Sequence, residues 1–196
     1  WFENTHTANR YGNPQSWIYS EGDWSDDYSW QAQFTMSAYE ATHDPHMLDQ
    51  AKWHFDFFYS NNVDDVYGGG MWRERSVRDQ KDVPTNGWAI VAAELAKYYP
   101  DEKVHNNLMN TDKTYLEIAE EIYAWIKTSF MRPDGGIENS FSTDHRFWDD
   151  NLYTYNAGIF IELASHLYSL TGNDAYLQDA VKAADFAKAH FTTGVK

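Results

Sequence analysis

The sequence contains no cysteine, no long apolar run and few basic residues, and each of these absences removes a class of function. Without cysteine the chain has no disulfide bond, no zinc–thiolate site and no cysteine nucleophile, and its redox compartment stays undetermined. No apolar run reaches the roughly 18 residues that a membrane-spanning helix needs, and the mean hydropathy is -0.71. The sequence therefore predicts no membrane-spanning segment.

The shortage of basic residues gives the chain a strongly negative charge. Fifteen Lys and Arg residues face 30 Asp and Glu residues, so the formal net charge is -15 at pH 7. Such a field repels polyanions, which argues against nucleic acid as a partner and also against uronic-acid polymers. A neutral substrate fits this charge better.

The sequence also lacks the common motifs of metal, nucleotide and acyl-transfer sites. It has no HExxH or EF-hand pattern, and the glycines at 68–70 are not followed by the lysine of a phosphate-binding loop. His43 and His46 straddle Pro45, which is more typical of a turn than of metal ligands. No G-x-S-x-G elbow is present. The sequence therefore predicts neither a metal nor a cofactor.

Aromatic residues, in contrast, are abundant. The chain has 9 Trp, 14 Tyr and 11 Phe, which together make up 17% of its 196 residues. Aromatic rings can stack on the C–H faces of sugars, so this content favours a neutral polysaccharide or oligosaccharide as substrate. An aromatic-rich core is the alternative.

Apolar spacing predicts an all-α protein. No stretch alternates as a strand would, and six segments have helical periodicity: 28–42, 46–60, 87–99, 112–130, 155–171 and 174–191. These segments pair as αα-hairpins. The stretch ATHDPHMLDQAKWHFDFF (41–58) aligns with LTGNDAYLQDAVKAADFA (170–187), and YLEIAEEIYAWI (115–126) repeats the second half, which indicates an internal repeat.

The two helices of each hairpin differ in their apolar surface. The first is apolar on most sides, as in GWAIVAAEL, whereas the second has one apolar stripe. An inner ring of helices inside an outer ring, an α/α toroid, satisfies both patterns, and a linear solenoid is the alternative. The long loops 61–86 and 131–153 both precede an inner helix, so we expect a functional site at that end of the toroid.

Two adjacent acids, Asp26 and Asp27, lie at the start of the first helix, at the same end. Retaining glycoside hydrolysis uses two carboxyl groups about 5 to 5.5 Å apart, one charged and one protonated. Repulsion between the two acids and the aromatic residues around them favours such a split in pKa. The alternative is a helix N-terminus, in which Ser25 is the cap and both acids complement the helix dipole.

Two other aspartate pairs compete with this candidate. Asp64 and Asp65 precede three glycines and are most simply a solvated turn. Asp149 and Asp150 are flanked by Phe147, Trp148 and Tyr153, which makes them the stronger alternative for contact with a substrate.

Four stretches together resemble a known family. They are DDYSWQA at the start of the first helix, YGGGMW (67–72), KDVPTNGWAIVAAELA (81–96) and YTYNAGIFIELASHLYSLTGNDAYL (153–177). Their order and spacing are similar to those of glycoside hydrolase family 76, the endo-α-1,6-mannanases. The resemblance implies an (α/α)6 toroid that hydrolyses α-1,6-linked mannan with retention of configuration, with Asp26 as nucleophile and Asp27 as acid/base.

The resemblance also implies which residues line the substrate groove. The motif positions are Gly69, Gly70, Trp72, Lys81, Asn86, Tyr155 and Asn156, and the expected neighbours are Trp24, Tyr28, Trp30, Trp148 and Asp149. Their structural alternatives are a tight turn for the glycines, a solvated side chain for Lys81 and a helix cap for Asn86.

The sequence departs from the family pattern in two ways. Three hairpins are present where the family toroid has six, so we expect residues 1–196 to form a single but partial domain, about half of the ring. Lys81 is followed by Asp82, Val83 and Pro84, where the family usually has Asn after the Lys and no Pro.

The location and two alternative functions follow from the same observations. A mannan hydrolase is expected to be secreted, periplasmic or attached to the cell surface. A non-catalytic α-mannan-binding protein is one alternative function, and a sugar epimerase or uronyl hydrolase on a similar toroid is the other.

Overall fold

The structure, a computed structural model, describes residues 24–142 and 148–192. It contains all six predicted helices, and no predicted boundary differs from the structure by more than three residues. The helices are α1 Ser25–Thr42, α2 Pro45–Asn62, α3 Trp88–Tyr98, α4 Tyr115–Phe130, α5 Thr154–Thr171 and α6 Asp174–Phe191. None of these helices has the length and apolar content of a membrane-spanning segment.

The long connections contain short strands, which the sequence analysis did not predict. Strands β1 Gln80–Asp82, β4 Ser140–Ser142 and β5 Trp148–Asp149 form an antiparallel sheet in the order β1-β4-β5, and β2 Lys103–Asn106 pairs with β3 Thr111–Thr114. Each strand has two to four residues, too few for an alternating pattern to be recognised. The three-stranded sheet joins the loop before α3 to the loop before α5.

Local sequence explains where three of the helices begin. The Asp44 side chain accepts a hydrogen bond from His46 N at 3.0 Å, and Pro45 occupies the first turn of α2. Thr114 and Glu117 form a reciprocal capping box at the start of α4. The Asn173 side chain accepts from Ala175 N at 3.1 Å at the start of α6.

The helices pack as three antiparallel hairpins, α1 with α2, α3 with α4 and α5 with α6. Helix α3 also contacts both α1 and α5, so α1, α3 and α5 form an inner row and α2, α4 and α6 an outer row. All residues of α3 from Trp88 to Ala96 are buried, as its apolar sequence predicted. Phe58 of α2 stacks on Trp88 with ring centroids 4.9 Å apart. These two layers are the expected arrangement of a partial α/α toroid.

The first inner helix keeps large aromatic side chains exposed. Trp30 and Phe34 of α1 are 40% and 70% exposed. Helix α1 packs against α2 and α3, and these two rings remain exposed.

We expect the Gly70→Ala variant to be destabilised by about 3 kcal/mol or more, because it combines backbone strain with a clash. Gly70 has φ +78°, and a Cβ there would lie 2.6 Å from Cζ3 of the Trp125 ring. Urea unfolding followed by circular dichroism measures the change.

A glycine inside α5 provides the matched control. A Cβ at Gly158 meets no atom within 4 Å, so Gly158→Ala should stabilise the protein by about 0.5 to 1 kcal/mol through helix propensity. Wild-type stability for Gly70→Ala would show that the Trp125 ring can move aside, contrary to the packing described.

Candidate active site

Three parts of the chain hold the first residue of α1. Ser25 N donates to the carbonyl of Arg73 at 2.8 Å, and Trp88 Nε1 donates to the carbonyl of Ser25 at 2.9 Å. Asn62 Nδ2 donates to Ser25 Oγ at 2.8 Å. The prediction that Ser25 caps α1 is therefore wrong: Trp24 is the capping position, and the buried Ser25 hydroxyl is used for this tertiary contact instead. The start of α1, and with it Asp26, is held by the loop before β1, by α2 and by α3.

The two acids at the start of α1 have different surroundings. Asp26 is partly buried and Asp27 is exposed. Burial raises the pKa of Asp26, and the neighbouring charge of Asp27 adds to the rise. A hydrogen bond from Asp27 N to Asp26 Oδ1 at 3.0 Å and the positive charge of Arg73 act in the opposite direction. The raised pKa belongs to Asp26, the partly buried member of the pair, and it opposes the charged state expected of a nucleophile.

Arg73 supplies a positive charge that acts on Asp26. Its guanidinium carbon lies 5.1 Å from the centre of the Trp24 ring, and its NH2 lies 3.5 Å from Asp79. Arg73 Nε is buried without a hydrogen-bond partner. Its charge favours the ionised form of both Asp26 and Asp82.

Exposed aromatic rings lie at the same end of the helices. Trp24 is 51% exposed, and Tyr153 and Tyr155 are stacked with ring centroids 5.0 Å apart. Burial and the charges of Asp149, Asp82 and Asp26 are among the causes that raise the pKa of Tyr155 to about 12. The Tyr155 hydroxyl therefore lies within the electrostatic influence of Asp26 and of two further acids.

Two other aromatic residues predicted to line the groove, Tyr28 and Trp148, are not shown with exposed rings. Tyr28 turns towards α2, where its ring centroid lies 5.3 Å from that of Phe58. The backbone of Trp148 pairs with Phe141 in the sheet, and the Trp148 side chain lies outside the described residues. Only Trp24, Trp30 and Tyr155 of the predicted aromatic set are shown with exposed rings.

Asp149 and Asn156 are connected by a residue that the sequence analysis missed. Asn139 Nδ2 donates to Asp149 Oδ2 at 2.7 Å, and Asn156 Nδ2 donates to Asn139 Oδ1 at 3.1 Å. Asn156 Oδ1 is buried without a partner. Nothing in the local sequence distinguishes Asn139, because its position depends on the pairing of β4 with β5. The network fixes the loop before α5 beside the start of that helix.

Several residues predicted to line the groove are instead buried beneath the loop before α3. Lys81 is 0% exposed, and its Nζ donates to Asp64 Oδ1 at 2.9 Å and to the carbonyls of Val66 and Gly69. Trp72 is 2% exposed, and its Nε1 donates to Asp64 Oδ2 at 2.7 Å. The structure contradicts the groove position predicted for Lys81 and Trp72, and it also contradicts the solvated alternative for Lys81 and Asp64. Burial of the ammonium group is offset by the carboxylate and the carbonyls around it.

The remaining predicted groove residues also hold this loop. Gly69 and Gly70 have positive φ and pack against the ring of Trp125, as expected for a tight turn. The fully buried Asn86 is not a helix cap: its Oδ1 accepts from Met71 N at 2.8 Å and its Nδ2 donates to the carbonyl of Asp82 at 2.7 Å. The substrate contact predicted for Asn86 does not fit this burial.

A cavity of about 500 Å³ lies on the other side of the same loop. It is lined by residues of α2, α4 and the glycine turn, including Tyr59, Asp65, Tyr67, Glu121 and Trp125. Asp26 and Asp27 do not line it, so it is separate from the candidate site. Within the described ranges, no group of three or more His, Asp or Glu side chains is arranged to hold a metal ion.

Comparison with known proteins identifies the family and the fold. The model of glycosyl hydrolase family 76 matches residues 4–196. The Lin0763 protein from Listeria innocua superimposes with a TM-score of 0.77 at 26% identity, over 90% of this chain and 48% of that one. No curated protein matches the chain.

A second solved structure has a sugar bound. It is an inactive variant of an α-1,6-mannanase from Salegentibacter sp., with two consecutive aspartates replaced by asparagine, in complex with α-1,6-mannotriose. It superimposes with a TM-score of 0.77 at 26% identity, over 89% of this chain and 50% of that one. The chain therefore spans about half the length of these proteins.

A more distant structure shares the fold alone. The cellobiose 2-epimerase from Spirochaeta thermophila has a TM-score of 0.67 at 14% identity, over 91% of this chain and 45% of that one. The helices in two layers, the paired acids at the start of α1 and the match over nearly the whole sequence lead to one assignment. The chain belongs to glycosyl hydrolase family 76.

Proposed function

We propose that this protein is a retaining glycoside hydrolase that cleaves α-1,6-mannosidic linkages in mannan, with Asp26 as nucleophile and Asp27 as acid/base. The observation that carries the proposal is the pair itself: two adjacent carboxyl groups at a fixed helix start, one partly buried and one exposed. Family membership and the mannotriose bound by a structural neighbour support the substrate class.

The reaction proceeds in two displacements. The Asp26 carboxylate attacks the anomeric carbon, the bond to the glycosidic oxygen breaks, and the proton of Asp27 passes to that leaving oxygen. Asp27, now a carboxylate, takes a proton from water, and the hydroxide displaces Asp26 from the sugar. Two inversions give net retention of configuration, and both carboxyl groups return to their initial protonation states.

Part of the surroundings of Asp26 favours the charged state that a nucleophile needs, although their net effect raises its pKa. Burial opposes ionisation, whereas the Asp27 N–H, the charge of Arg73 and the N-terminal end of α1 favour it. Above its raised pKa, Asp26 is a carboxylate and can attack the sugar. Its partial burial limits its contact with water. The exposed Asp27 is open to the water molecule that reacts in the second step.

A neutral mannan also suits the charge of the molecule. A net charge of -15 does not oppose the approach of an uncharged polymer. The exposed rings of Trp24, Trp30 and Tyr155 provide stacking surfaces for sugar rings. Action on such a polymer places the protein outside the cytoplasm, in a secreted, periplasmic or surface-attached form.

One observation favours a second candidate. The chain spans about half the length of the family structures that it matches, and the exposed aromatic rings of this half could bind mannan without hydrolysis. In that case the aromatic rings bind the polymer, and the two acids do not catalyse its hydrolysis.

Incubation with linear α-1,6-mannan, followed by proton NMR of the first anomer released, tests the proposal. We expect the α-anomer to form first and the β-anomer to appear only as mutarotation proceeds. Initial release of the β-anomer would contradict retention. Binding of mannan in isothermal calorimetry with no product after prolonged incubation would support the non-catalytic alternative.

A further inference from the structure

The three-stranded sheet contains a buried carboxyl group that the sequence analysis did not assign to the site, that of Asp82. Asp82 of β1 is paired with Ser140 of β4, and Ser140 is paired with Asp149 of β5. Residues directly opposite each other on antiparallel strands project from the same face. Asp82, Ser140 and Asp149 therefore form a row on one face, and Lys81 projects from the opposite face.

Asp82 is buried and uses its carboxyl group to hold a turn. The residue is 4% exposed, and its Oδ1 accepts a hydrogen bond from Thr85 N at 2.8 Å. Its backbone carbonyl accepts from Asn86 Nδ2 at 2.7 Å. These bonds fix the 3-10 turn Thr85–Gly87, which leads directly into α3. The side chain cannot rotate away from this position without breaking the turn.

The same turn is connected to the start of α1. Trp88, the first residue of α3, donates from its ring nitrogen to the carbonyl of Ser25. Gln33 of α1 donates to the carbonyl of Gly87 at 3.5 Å. The relative positions of Asp82 and Asp26 are therefore set by hydrogen bonds on both sides of the α1–α3 contact.

The charges of Asp26 of α1 and Arg73 of the preceding loop act on Asp82, and the charge of Asp82 acts on Tyr155 of α5. Asp149 of β5 lies in the same row of the sheet as Asp82, beyond Ser140. Burial raises the pKa of Asp82 to about 6, the charge of Asp26 adds to the rise, and Arg73 opposes it. Because the charge of Asp26 acts on Asp82, the protonation states of the two carboxyl groups are coupled.

We propose that Asp82 is a positioning residue of the active site: protonated, it allows Asp26 to keep its negative charge, and ionised, it places a second negative charge behind Asp26. Because it is buried, Asp82 acts through Asp26 and does not contact the substrate. This inference rests on the proposed function to the extent that Asp26 is the nucleophile. The ionisation of Asp82 then sets one limb of the pH dependence of hydrolysis.

The Asp82→Asn variant tests this role in the reaction. Asparagine keeps an oxygen that can accept from Thr85 N and removes the ionisation. In the dependence of kcat/KM on pH, we expect the wild type to show a transition near pH 6, and we expect this transition to be lost in Asp82→Asn. A variant that keeps the transition overturns the proposal.

Glu94→Gln is the matched control. Burial raises the pKa of Glu94, on α3, to about 7, and its charged neighbours Lys97, Glu40 and Glu162 are not part of the candidate site. Glu94→Gln should leave the transition near pH 6 in place. Its loss in this control as well would show that the profile reports general stability, which overturns the proposal.

A second measurement does not depend on activity. Carbon-13 NMR can follow the Asp82 carboxyl, assigned by through-bond correlation to the Asp82 backbone, in the wild type and in Asp26→Asn. Because Asp26→Asn removes a negative charge, we expect the titration of Asp82 to shift to lower pH. An unchanged titration overturns the proposal even if Asp82→Asn does not fold. If the shift is present but the wild type does not hydrolyse mannan, the charge coupling stands and the proposed function fails.

Discussion

Replacement of Asp26 by asparagine is expected to reduce kcat/KM on α-1,6-mannan by about 10³-fold or more, because the variant lacks the nucleophile of the first displacement. Asparagine has nearly the same volume and leaves the backbone contacts of Ser25 intact, so the helical circular dichroism spectrum and the midpoint of unfolding should change little. Reducing-sugar release from linear mannan measures the loss.

The roles of Asp26 and Asp27 can be separated with azide. In Asp27→Ala the covalent intermediate still forms from a substrate with a good leaving group, and azide then captures it as an α-mannosyl azide. In Asp26→Ala azide attacks the sugar directly and gives the β-product. The reverse pattern would exchange the two assignments, and full activity in both variants would refute the pair as catalytic.

Asp150→Asn is the control for these substitutions. Asp150 belongs to the aspartate pair that competes with Asp26 and Asp27 on sequence grounds, and it is exposed. Because this substitution also removes one negative charge from an aspartate doublet before an inner helix, it matches Asp26→Asn in charge and chemistry. We expect activity within about twofold of the wild type, since surface changes of this kind usually have small effects.

Lys81→Met is expected to destabilise the fold by about 3 to 5 kcal/mol, the cost of leaving one member of a buried ion pair without its partner. The substitution removes three donors: those to Asp64 Oδ1, to the carbonyl of Val66 and to the carbonyl of Gly69. It also removes the ammonium group that lies 4.3 Å from the centre of the Trp72 ring. Urea unfolding at pH 7 measures the change.

Two comparisons make this result interpretable. Lys127 pairs with Asp179 on the surface and its side chain is 45% exposed, so Lys127→Met should cost no more than about 1 kcal/mol. The double variant Lys81→Met with Asp64→Asn should recover part of the loss, because the uncompensated carboxylate is then removed. If Lys81→Met costs no more than Lys127→Met, the buried pair does not hold the loop.

The six helices were predictable because their signals are local. Apolar spacing, Pro45 at a helix start and the Thr114 and Glu117 pair all lie within a few residues of the feature that they determine. The short strands were not predictable, because two to four residues carry no recognisable pattern and their pairing depends on the way the hairpins pack.

The candidate site shows the same division. Asp26 and Asp27 could be identified from adjacent letters and their place at a helix start, and the resemblance to family 76 rested on similar short motifs. The burial of Lys81, Trp72 and Asn86 could not be predicted from the sequence, because the same residues fit a groove, a solvated turn or an interior equally well. Asn139 and Asp82 were missed because strand pairing positions them, Asn139 beside Asp149 and Asp82 opposite Ser140.

The sequence by itself determined the helical hairpins, the negative charge and the adjacent acids, since each depends on residues that are neighbours along the chain. Only the tertiary structure decided which polar groups lie inside. Asp64 and Asp65 are adjacent, yet one accepts hydrogen bonds from Lys81 and Trp72 and the other is exposed. The physical reason is that a carboxylate can be buried only where distant parts of the chain supply its donors.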